Sequence, residues 1–97
     1  MIAKFSPLPK AWPAGSQRTV VVDITGGPPG QVVTVTLFRT VPAPDQQFDS
    51  KTVNIVSSGD ASASFLVTLS DLGINVLHCE AQVGAAFDSD SAGTVVQ

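Results

Sequence analysis

Tyrosine is absent from this 97-residue chain, and cysteine, tryptophan, methionine and histidine each occur once. One cysteine rules out an intrachain disulfide, so no cross-linked framework defines the fold and no redox compartment can be read from one. Charge is scarce too, at 13% against the roughly 25% usual for globular chains. The five basic residues, Lys4, Lys10, Arg18, Arg39 and Lys51, are scattered through a chain of net charge −3. No basic stripe is available to displace counterions from a phosphate backbone, which predicts no nucleic-acid partner. No apolar run approaches the ~20 residues that span a bilayer, so membrane insertion is not expected. The opening Met-Ile-Ala-Lys-Phe-Ser-Pro lacks the charged-then-apolar layout of a signal peptide. Either a leader has been removed or the protein leaves its cell without one, as a virion component does.

Chemical constellations are equally thin, and no enzyme is expected. No serine stands in a Gly-x-Ser-x-Gly elbow. No dinucleotide fingerprint or phosphate loop occurs, and Gly26-Gly27-Pro28-Pro29-Gly30 has prolines where phosphate-binding N–H groups would be needed. His78 and Cys79 are adjacent, but neighbours on a strand face opposite ways, which excludes a catalytic dyad. No cofactor is implied.

What the chain does have is alternation. About seven short stretches alternate apolar and polar residues between clusters of Pro, Gly, Ser and Asp, and none carries a helical period. Such alternation describes sheets with one face in a core and one in water. Ninety-seven residues suit one domain, 1–97, near the usual size of a two-sheet sandwich. The predicted inward sets are Val20, Val22 and Ile24; Val33, Val35 and Leu37; Val53 and Ile55; Ala63, Phe65, Val67 and Leu69; and Leu77, Cys79, Ala81 and Val83. Cys79 is then a small buried hydrophobe, and His78 lies on the solvated face beside Glu80.

The connections can be read as well. The segments around Pro7, Pro9 and Pro13 are too proline-rich for a central strand and suit an edge strand that breaks and changes sheet. Gly26 to Gly30 is the strongest turn signal. Pro42 to Asp45 reads as a loop crossing between sheets. A strand over Lys51 to Val56 is followed by Ser57 to Asp60, which reads as a hairpin. Ser70 to Gly73 suits a short helical turn with Leu72 beneath it, and Val83 to Ala86 reads as the last hairpin.

Leu72 to Ala81 resembles strand F of bacterial and phage immunoglobulin-like domains, which carry a Gly-x-x-x-Val-x-Cys-x-Ala type run there. Gly84 to Ser89 resembles their F–G hairpin, and the proline-rich start with Ala14-Gly15-Ser16 resembles strand A and the A–B turn. The resemblance covers most of the chain and implies an all-β immunoglobulin-like β-sandwich of about seven antiparallel strands. Departures are a missing partner cysteine on the second strand, no Trp on the third, and no tyrosine corner.

Three groups of residues stand out as candidate sites. Asp88 and Asp90, with Gly93 at position six, have the opening spacing of an oxygen-rich calcium loop. Their structural alternative is the outward face of the last strand, where like charges discourage edge pairing. Trp12 either caps one end of the sandwich or, if exposed, is the best hot spot for a protein partner. Pro28 and Pro29 sit in a loop that could meet a partner. Two functions fit a hydroxyl-rich, weakly charged domain. One is a non-catalytic structural or accessory component of a virion or surface assembly. The other is an adhesive, ligand-binding module at a cell surface, using loops such as Gly26–Gly30 and Ser57–Asp60.

Overall fold

The computed structural model describes all 97 residues as two packed sheets, antiparallel except for one short parallel pairing, with no helix. Eight strands form rather than about seven: β1 (Ile2–Phe5), β2 (Ala11–Trp12), β3 (Gln17–Thr25), β4 (Val32–Val41), β5 (Gln46–Asn54), β6 (Ala61–Thr68), β7 (Gly73–Val83) and β8 (Ala86–Val96). One sheet has the order β1-β3-β6 and the other β2-β8-β7-β4-β5. The extra strand comes from the proline-rich opening. Pro7 and Pro9 interrupt it, since neither can donate to a ladder. β1 therefore pairs with β3 in the small sheet, while β2 pairs in parallel with Val95 and Val96 of β8 in the large one.

Alternation places the core as expected. Val20, Val22 and Ile24 of β3 face Val33, Val35 and Leu37 of β4, with Ala63, Phe65 and Val67 of β6 and Leu77, Cys79 and Ala81 of β7 completing the interior. These residues belong to one cluster of 19 buried hydrophobic side chains, so a single core holds the chain. At roughly 25 cal/mol per Å² of apolar surface removed from water, that cluster is the main stabilising term.

Four readings of the connections need correction. Pro42–Asp45 does not cross between sheets, because β4 and β5 are neighbours and the segment closes a hairpin. Ser57–Asp60 is not a hairpin, because β5 and β6 lie in different sheets and the turn carries the chain across. β5 starts five residues earlier than Lys51, at Gln46, and ends at Asn54, leaving Ile55 buried just beyond it. Ser70–Gly73 forms no helical turn, and Leu72 is 75% exposed rather than tucked under. What organises that turn is Asn75, fully buried, whose side-chain amide donates to the carbonyls of Asp71 and Gly73.

The sandwich is long and narrow, with extents of 41 × 21 × 16 Å. Ile2 lies beside Thr25 at one end, whereas Gln97 exchanges backbone hydrogen bonds with Trp12 and Ala14 at the other. The two chain termini therefore occupy opposite ends of the long axis.

Candidate functional site

The outer face of the large sheet holds a depression of about 290 Å³ lined by Phe38, Thr40, Asp45, His78 and Glu80. Its origin is local. In β7 the parity that buries Leu77 and Cys79 turns His78 and Glu80 outward. Phe38 opposes His78 in the β4–β7 register, and the two rings are tilted at 42° with centroids 6.1 Å apart. Past Phe38 the register shifts between Arg39 and Val41, and the hairpin that follows brings Asp45 over the same face. His78 Nδ1 meets Ser91 Oγ at 2.8 Å, and its Nε2 stands 3.6 Å from Glu80 Oε2. Arg39 is turned away and pairs with Asp71, so no Lys or Arg lines the depression.

Asp88 and Asp90 lie elsewhere and not on the outward face of the last strand. They share a face of β8 with the buried Thr94 and Val96, and are half-buried. Asp88 Oδ2 accepts the Ala3 N–H at 2.8 Å, and Asp90 Oδ2 accepts the Phe5 N–H at 2.9 Å. β1 has β3 on one side only. The two carboxylates thus take up donors that its outer edge would leave unpaired, and charge-assisted bonds of this kind are the stronger sort. Both are already engaged with the main chain, and no group of three or more His, Cys, Asp or Glu side chains converges as a metal site.

On the opposite flank, Lys51 of β5 passes over the Phe65 ring, 5.3 Å from its centroid, and donates to the Ser64 carbonyl on β6. Each side opening between the sheets is therefore bridged from side chain to backbone, by carboxylates to N–H groups on one flank and by an ammonium to a carbonyl on the other.

Cys79 is fully buried opposite Asp90 in the β7–β8 register. Burial pushes its thiol up from 9.0 to about 11, and the neighbouring Asp90 and Asp88 charges add to the rise. A thiol held so far in its neutral form is a poor nucleophile at neutral pH.

Trp12 has no exposed surface, and its indole N–H donates to the Ser16 carbonyl at 3.0 Å, so it closes one end of the core and offers nothing to a partner. Pro28 is half-buried and Pro29 exposed on the loop before β4. That loop shares an end with the β5–β6 crossover: Gly27 N–H donates to Gly59 O, Gly30 N–H to Ile55 O, and Ile55 N–H to Gln31 O, each at 2.9 Å. The sequence reading brought together neither the outer-face depression nor the carboxylate bridge. Parity counted back from the apolar Val96 would have put Asp88 and Asp90 on the inner side, and parity counted from Cys79 does put His78 beside Glu80.

No helix of the chain is long and apolar enough to cross a membrane. No protein-family model matches the sequence, and no curated protein matches it.

Proposed function

We propose that this chain is an immunoglobulin-like module with a non-catalytic structural or accessory role, a small component of a virion or surface assembly. The observation that carries the fold half is the strand order. With β1, β3 and β6 taken as A, B and E, and β8, β7, β4 and β5 as G, F, C and C′, the two sheets follow an immunoglobulin-type order, less strand D. The division of the first strand between the sheets agrees with that assignment. The role half is supported by what the chemically capable side chains do. Asp88 and Asp90 hold β1, Cys79 is core, and Asp23 accepts from Ser6 and Ser62 hydroxyls across the outer face of the small sheet. Such engagement suits a scaffold.

Mass spectrometry of purified particles from the source tests this reading. The chain is expected at fixed stoichiometry with particle proteins, and its genomic neighbours are expected to encode other parts of the same assembly. Absence from the particles would remove the assembly role while leaving the fold assignment standing. The adhesive reading draws on one observation, the bonding of the Gly26–Gln31 loop to Ile55 and Gly59, which makes a firm tip carrying Pro29. Glycan-array binding lost on Pro29→Asp would favour that second role.

A further inference from the structure

We infer that the depression between β4 and β7 is a docking site for an arginine side chain on a protein partner, with the aliphatic strip beside it receiving the residues that flank that arginine. Two carboxylates, Asp45 and Glu80, contribute to the lining, and no lysine or arginine of the chain joins them. Phe38 and His78 add ring surfaces, and Thr40 a hydroxyl oxygen. A guanidinium is the cation that uses all of these. Its planar fork meets carboxylates bidentately, its faces stack on rings, and it is shed from water more readily than an ammonium.

The choice of a protein over a free amine comes from what adjoins the depression. Continuing along the same face of β7, His78 is followed by Val76 and the 67% exposed Ile74, because alternate residues share a face. Ile74 is paired across the ladder with exposed Val95, and Val76 with exposed Val41. Opposite Val76 on β8 stands Gly93, which leaves the strip without a side chain at that point. An acidic, ring-lined recess continuous with an aliphatic strip matches a segment in which one arginine has aliphatic neighbours. The inference holds whichever assembly the chain belongs to.

The test is a titration of the ¹⁵N-labelled full chain, followed by amide shifts, with three probes. These are acetyl-Val-Arg-Val-amide, its citrulline counterpart, which is nearly isosteric but uncharged, and methylguanidinium alone. The expected result is saturable shifts at Phe38, His78 and Glu80 that extend to Val76 and Ile74 with the arginine peptide. Binding should weaken about five-fold for the citrulline peptide, and by a similar factor in Asp45→Asn and Glu80→Gln, the scale of one partly exposed ion pair. Both substitutions are on the surface, and unchanged melting temperatures will show that the fold is intact. Equal binding of the citrulline peptide would overturn the inference, as would shifts centred elsewhere or no shift at millimolar peptide. Methylguanidinium binding as tightly as the peptide would overturn the protein-docking assignment in favour of a free-cation site.

Discussion

Two single residues report directly on the interior. Because the Cys79 pKa is higher folded than unfolded, the native state holds its proton where the unfolded chain has lost it. Stability from this group is intact below pH 9 and declines as pH rises toward about 11. The expected loss across that window is roughly 2 kcal/mol. Urea melts of the wild type and Cys79→Ala at a series of alkaline pH values measure it, and the variant should show the shallower decline. Native Cys79 should also resist thiol reagents at neutral pH until the chain unfolds. Gly59 is the second reporter. It sits at φ +85°, and a Cβ there would come 3.0 Å from the Gly27 carbonyl oxygen, which is part of the backbone and cannot swing aside. Gly59→Ala should cost about 2–3 kcal/mol, whereas Gly84→Ala, at φ +55° in open space, should cost about 1 kcal/mol. Denaturant midpoints of the two variants give the comparison.

At the scale of the element, β1 is the strand most dependent on side chains. Four residues pair it with β3, and Asp88 and Asp90 hold its other edge. Replacing either carboxylate by Ala should leave a part-buried N–H unmatched and cost about 1–3 kcal/mol. Hydrogen exchange should then speed up at the amide of Ala3 in Asp88→Ala and of Phe5 in Asp90→Ala, while the β7–β8 amides keep their protection. The double variant should lose less than the sum, since one short strand is released in both cases. These strands also show what alternation does and does not encode. It placed Val20, Val22, Ile24, Leu77 and Cys79 because period two determines which face a residue takes. It could not say which sheet a strand joins, and so Pro42–Asp45 and Ser57–Asp60 exchanged roles. Polarity, not period, misplaces Asp88 and Asp90: it argues for water, whereas β1 brings main-chain donors to the inner face that the period assigns them.

For the whole molecule, the pairing is largely non-local: β3 with β6, β4 with β7, and β2 with the last residues of β8. Such topology requires loop closure before contacts reward it, so folding is expected on the scale of roughly milliseconds to seconds. Stopped-flow fluorescence of Trp12, buried only once the end of the core closes, measures it. The all-β, two-sheet class was legible because β3, β4, β6 and β7 repeat the same period, and no helical stretch competes. The recess beside Asp45 was not, since it depends on a register shift at Arg39–Val41 that has no signature in composition.

The placement of the two chain ends has a mechanical consequence. Tension applied between the first and last residues runs parallel to the strands, so β1 is drawn lengthwise along β3 while β8 is drawn the opposite way along β7. The bonds of each ladder are then loaded together in shear and cannot be unzipped one at a time. Held by its ends, this domain resists pulling along the axis in which it is longest.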